Sequence, residues 1–297
     1  MNFSRLAKIF KQAINKWIDD DAYDLSAVVA YYAIFSLPAL IIIIVTIAGS
    51  VFGEKAVEGR ISEEIGNLIG TEAASQIQTM VANAYTRENS TLAAIVGISI
   101  LIFGATGVFA ALKRTLNKIW EVIPDPNKSG IIKFILDRTT SFGVVLSLGF
   151  LMLISLVIST ALSFFSDWLR QFIPDFLLII FMILNFIMSF IIISVIFALM
   201  FKYLPDVKIQ WKSVWPGAIL TTVLFLIGKY AINLYFTNAN PTTTFGAAGS
   251  IVLIMLWVTY SSLIFFFGAE FTRAYALENN HIINTTSHSV FIKKVDC

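Results

Sequence analysis

Residues 176–201 read FLLIIFMILNFIMSFIIISVIFALMF, twenty-six consecutive positions without a charged side chain. A helix rises about 1.5 Å per residue and the hydrocarbon core of a bilayer is about 30 Å thick, so about 20 such residues cross it. This stretch is too long and too apolar for a buried helix of a water-soluble domain. Five others share its character: Val28–Phe52, Thr91–Leu112, Thr139–Phe165, Trp215–Phe236 and Ser250–Phe271, each flanked by charge, proline or turn residues. The fold class is therefore all-α: a polytopic membrane protein with six transmembrane helices, forming one domain over residues 1–277. Residues 278–297 are expected to be a tail without fixed structure.

Composition agrees. Of 297 residues 57% are apolar and 13% charged, against about 45–50% and about 25% in soluble domains, and mean hydropathy is +0.80. Intrinsic disorder, a coiled coil and a nucleic-acid binder with a basic surface are excluded, and a net charge of +2 indicates no polyanionic partner. The single cysteine, Cys297, and both histidines, His281 and His288, lie near the C-terminal end. The apolar body holds no imidazole and no thiol, which argues against Ser-His-Asp, Cys-His and His-metal chemistry. The chain is expected not to be an enzyme and to need no metal or cofactor.

Lys and Arg set the orientation. One side carries four in 1–27, six in 113–138, three in 202–214 and three in 272–297. The other side carries Lys55, Arg60, Arg87 and Arg170. Sixteen against four places both termini in the cytoplasm. The charged first 24 residues and the long apolar run behind them are unlike a cleavable signal peptide.

Two amphipathic regions flank the first span. Phe3, Leu6, Phe10, Ala13, Ile14 and Trp17 recur at three-and-four spacing, with Lys8, Lys11 and Asn15 opposite. This predicts an N-terminal amphipathic helix, lying either on the anionic inner leaflet or on the ends of the bundle. Residues 54–90 predict an outer helical pair between spans one and two, read as cover for helix ends in preference to a lid over a cavity.

Several segments carry a family pattern. They are AYYAIFSLPAL at 30–40, FGATGVFAALKRTLNKIW at 103–120, LPDVKIQWKSVWPG at 204–217 and FGAAGSIVLIMLWVTYSSLIFFFGAEFTRAYA at 245–276. From about residue 20 to 277 the chain resembles the YihY/virulence factor BrkB family of bacterial membrane proteins. The resemblance implies a six-span protein of the bacterial inner membrane. Members of that family are linked to serum resistance or to envelope and lipopolysaccharide transport, and their older ribonuclease BN label is regarded as a misassignment. The residues agree on that last point, because metal-dependent RNA cleavage needs clustered His, Asp or Glu ligands.

Few residues inside the spans can carry chemistry. Lys229 lies about 21 Å up the fifth span from Trp215, where a cation costs up to about 2.5–3.5 kcal/mol on insertion scales. It either snorkels to the outer boundary or faces an outward cavity that attracts an anion. Asn185 is the strongly polar amide near mid-membrane, bonding a neighbouring helix or touching a substrate. No span interior holds an Asp or Glu, which disfavours an acidic-relay antiporter. At the inner boundary Asp24, Lys113, Arg114, Glu270 and Arg273 are expected to form an ionic cluster, a structural tie in preference to a gate, with Glu270 and Arg273 spaced to pair. Gly104, Gly107, Gly246 and Gly249 are read as helix-packing sites, and Pro38 as a kink in the first span. The sequence points to a transporter or exporter of an anionic or amphipathic envelope-related molecule, with membrane lipids as partners. The alternative is a non-transporting envelope scaffold that docks partners. Substrate and oligomeric state are not legible.

Overall fold

The structure, a computed structural model, describes residues 3–35, 59, 107–126, 175–239, 249–287 and 289–292. In chain order these form α1 (Phe3–Asp19), α2 (Ala22–Phe35), α3 (107–119), β1 (Val122–Pro124), α4 (Asp175–Tyr203), β2 (Val207–Lys208), α5 (Trp211–Ala239), α6 (Gly249–Glu278), β3 (Asn284–Thr285) and β4 (Ser289–Phe291). Among the described residues, α4, α5 and α6 are each long and apolar enough to cross a membrane. The third predicted span and the outer helical pair lie outside the described residues, apart from helical Gly59.

The helices outrun the predicted spans, most of all α6, which continues to Glu278. Its extension buries Thr272, Ala274 and Ala276, so packing sustains the helix after the apolar run has ended. α5 begins four residues early, at Trp211, leaving Pro216 inside the helix rather than at its start. On α5 the exposed apolar residues Ile219, Val223, Ile227, Tyr230 and Leu234 follow a three-to-four-residue period. In a membrane protein such a stripe is the face offered to lipid.

Chain packing forms two compact units. The first comprises Met1–Ala13, Leu116–Val223 and Gly268–Cys297. Within it α5 and α6 approach through small residues. A β-carbon added to Gly217 would collide with the Thr272 side chain and lie 3.0 Å from the Gly268 carbonyl oxygen; one added to Gly268 would collide with Thr221. Thr221, Thr222 and Thr272 are fully buried, and their hydroxyls donate to the carbonyls of Gly217, Ala218 and Gly268 at 2.7–2.9 Å. Lipid offers these groups no water, so bonding back one turn keeps them satisfied. Ser194 on α4 adds a 3.0 Å hydrogen bond to Thr222.

The same unit departs from the all-helical expectation, and from the expectation of a tail without structure. Residues 284–285 and 289–291 are strands. β4 pairs antiparallel with β1, Val122 opposite Phe291, and β3 pairs antiparallel with β2, Val207 opposite Thr285. Asn280 makes this possible. At the end of α6 it adopts the left-handed conformation (φ 52°). The His281 amide bonds the Ala276 carbonyl and the Asn280 amide bonds the Leu277 carbonyl, the paired bonds that close a helix and turn the chain.

The second unit comprises Ile14–Thr115 and Leu224–Phe267. Here the Trp17 indole donates to the Leu263 carbonyl at 3.0 Å, and its ring meets Phe267 edge-on. Gly107 takes the Tyr32 ring against its backbone, and Gly228 takes Tyr260.

Candidate functional site

Lys229 lies in α5, half-buried. It sits two turns beyond Thr222 and off the exposed stripe that includes Ile227 and Tyr230, the latter 74% exposed. Among the described residues no carboxylate or hydrogen-bonding group engages it. Its neighbour Gly228 is where α5 receives Tyr260, whose hydroxyl reaches the Leu224 carbonyl at 3.4 Å. Phe225 and Trp257 meet edge-on nearby, with ring centroids 5.5 Å apart. The buried Ser261 hydroxyl also has no hydrogen-bond partner among the described residues. Asn185 lies in α4, and its side chain falls outside the described residues.

The charged residues of the predicted cluster have different settings. Asp24 and Arg114 are exposed, whereas Lys113 is 8% and Glu270 2% exposed. Arg273 bonds Glu121 at 2.7 Å, with side chains 13% and 30% exposed. Glu121 was not singled out by sequence because a nearer acid, Glu270, stood at helical spacing from Arg273. Glu121 is also held in the left-handed region (φ 53°) at the end of α3, and its carbonyl accepts the Ile292 amide at 2.9 Å. It therefore joins α3, α6 and the tail.

Three further polar contacts escaped sequence reading. Asn117 and Asp206 form a two-way pair, amide to carboxylate at 2.9 Å and Asp206 backbone amide to Asn117 carbonyl at 2.8 Å. Lys8 bonds the Glu278 carboxylate at 2.9 Å, tying α1 to the end of α6. Ser213 Oγ lies 2.6 Å from His281 Nδ1. This last contact was not legible in the sequence, because His281 lies 68 residues beyond Ser213 in the chain. The turn at Asn280 carries His281 back to the first turn of α5. Ser213 is fully buried, so the contact acts as a latch between tail and helix and offers no substrate a reachable nucleophile. Among the described residues no three His, Cys, Asp or Glu side chains gather to hold a metal ion.

Of the glycines predicted to pack helices, Gly107 lies against Tyr32 and Gly249 opens α6. Gly104, Gly246 and Pro38 fall outside the described residues. The close approaches at Gly217, Gly228 and Gly268 were missed, although Gly217 and Thr221, like Gly268 and Thr272, show small-residue spacing one turn apart.

Long apolar helices packed through glycine and threonine, with a lipid-facing stripe, define a polytopic α-helical membrane protein. The family model for virulence factor BrkB matches residues 13–289, and the chain belongs to that family. The match runs through the folded-back tail as far as β4. Among its relatives, the ribonuclease-like protein YfkH of Bacillus subtilis strain 168 is 24% identical, covering 88% of this chain and 92% of its own. A UPF0761 membrane protein of Alteromonas mediterranea is 25% identical over 90% of this chain and 87% of its own. Another from Psychromonas ingrahamii is 26% identical over 82% and 79%. No solved structure matches the chain.

Proposed function

We propose that this protein is a six-span transporter or exporter in the bacterial inner membrane, with both termini cytoplasmic, handling an anionic or amphipathic envelope molecule. Lys229 meets the anionic group of that molecule part-way through its passage. One observation carries the reading: Lys229 is half-buried off the lipid-facing stripe of α5, and no described residue neutralises it. A cation kept inside a span without a counter-charge is costly, and an anionic substrate would supply the missing charge. The Lys and Arg asymmetry supports the orientation. The polar contacts at the ends of α3 and α6 serve as ties rather than a gate.

The test uses purified protein in liposomes and fluorescent phosphatidylglycerol, with dithionite quenching as the measure of lipid exposure. Wild-type protein is expected to move the probe, Lys229→Ala to abolish movement and Lys229→Arg to retain it. A Lys229→Ala variant as active as wild type overturns the role of Lys229. Protein that moves nothing but carries a stoichiometric partner overturns transport in favour of a scaffold.

A further inference from the structure

α4 ends at Tyr203 and α5 begins at Trp211, and the connection between them shapes a groove of about 610 Å³. Lys202, Lys208 and Lys212 line it together with Gln210, Trp211 and Asn284, and no carboxylate does. Lys202 is held in place, because its Nζ donates to the Ile209 carbonyl and lies 5.7 Å from the centroid of the Trp211 ring. The acid of this connection, Asp206, is engaged by Asn117. The groove also opens at the N-terminal end of a 29-residue helix, where the helix dipole adds positive potential. Three cations and a helix terminus with no acid in the lining fit a phosphate.

What accompanies the phosphate is shown by the rings beside it. Tyr203, Trp211 and Trp215 form a ladder with successive centroids 6.2 Å apart, and all three are more than a third exposed. Aromatic rings of this kind sit at the level of lipid headgroups. Beyond Trp215 the exposed stripe of α5 continues through Ile219 and Val223, which suits an acyl chain and has no use for a soluble anion. We infer that the Lys202–Lys208–Lys212 groove binds the headgroup phosphate of an anionic phospholipid from the leaflet at this boundary. This inference does not depend on transport or on Lys229.

Native mass spectrometry of the full chain in detergent tests it, with phosphatidylglycerol, phosphatidylcholine and inorganic phosphate as separate additions. Phosphatidylglycerol is expected to be retained in preference to phosphatidylcholine, and millimolar inorganic phosphate not to displace it. Each lysine near an anionic headgroup contributes about fivefold in affinity, so Lys208→Gln with Lys212→Gln should weaken phosphatidylglycerol retention at least about tenfold. The arginine pair, Lys208→Arg with Lys212→Arg, should keep it. Arg114→Gln with Lys118→Gln removes the same charge from exposed positions on α3 and should change retention less than about twofold. Equal losses in the two glutamine pairs, equal retention of the two lipids, or displacement by inorganic phosphate would each overturn the assignment.

Discussion

In the first turns of α5, Ser213, Thr221 and Thr222 are fully buried, and each hydroxyl has a partner within 3.0 Å. Further along the same helix Lys229 is half-buried and meets no partner among the described residues. Both stretches place polar atoms in apolar surroundings, and they resolve the cost in opposite ways. Hydroxyls can bond back one turn and so satisfy themselves, which a lysine cannot do. Polarity at the start of α5 therefore serves assembly, whereas no contact among the described residues gives Lys229 a part in it. A change at the start of the helix should destabilise the protein, and a change at Lys229 should not.

The largest effect is expected where backbones are closest. In Gly268→Val the new side chain collides with Thr221, and neither helix can retreat without giving up the seam. Overpacking of this kind costs about 1–3 kcal/mol and occasionally more, so thermal unfolding in detergent should show a loss of about 3 kcal/mol or no folded protein. Gly268→Ala combined with Thr221→Ala should recover part of the loss. Gly59→Ala, where nothing lies within 4 Å, should cost nothing. A Gly268→Val protein as stable as wild type would show that the seam is loose.

Next in size comes the Arg273–Glu121 pair. With 13% and 30% of the side chains exposed, it is shielded enough to exceed a surface ion pair, yet wet enough to fall short of a fully buried one. Arg273→Gln and Glu121→Gln should each cost about 1–2 kcal/mol. The double variant should cost less than the two losses added together. Strict additivity in that cycle would mean the contact is not energetically coupled.

What sequence disclosed follows from the range of each interaction. The spans at α4, α5 and α6 were legible because apolar length is a local property, and α4 exceeds its predicted span by one residue at its start and two at its end. The end of α6 was not, since residues 272–278 stay helical through contacts that hydropathy does not record. The strands were not legible either: β2 and β3 have two residues each, and their pairing joins distant parts of the chain without a local pattern. Lys229 was legible as the lone charge in an apolar run. Glu121 was hidden by the more convenient Glu270, and the His281 contact by the 68 residues that separate it from Ser213. Gly217 and Gly268 needed threonine to be counted among the small residues.

The latch between tail and helix offers a smaller test. Ser213→Ala removes the partner of His281 Nδ1 and leaves the turn at Asn280 intact, so the cost should be about 1 kcal/mol. Amides of residues 281–292 should then exchange hydrogen faster, while those of α4 hold their protection. Unchanged exchange in the tail would mean that the β1–β4 and β2–β3 pairings hold it without the latch.

The smallest effect on stability separates the two stretches of α5 most clearly. Lys229→Met keeps side-chain length and removes the charge. If Lys229 is kept for a ligand rather than for folding, the variant should be as stable as wild type in thermal unfolding or slightly more so, by no more than about 1 kcal/mol. Ser213→Ala lies on the same helix and should move the other way. Opposite signs at two positions of one helix cannot come from a general response of α5 to mutation, so they isolate the polar group as the cause. A clear destabilisation by Lys229→Met would mean that the ammonium has a partner holding the fold together, and Lys229 would then belong with Arg273 as a structural charge.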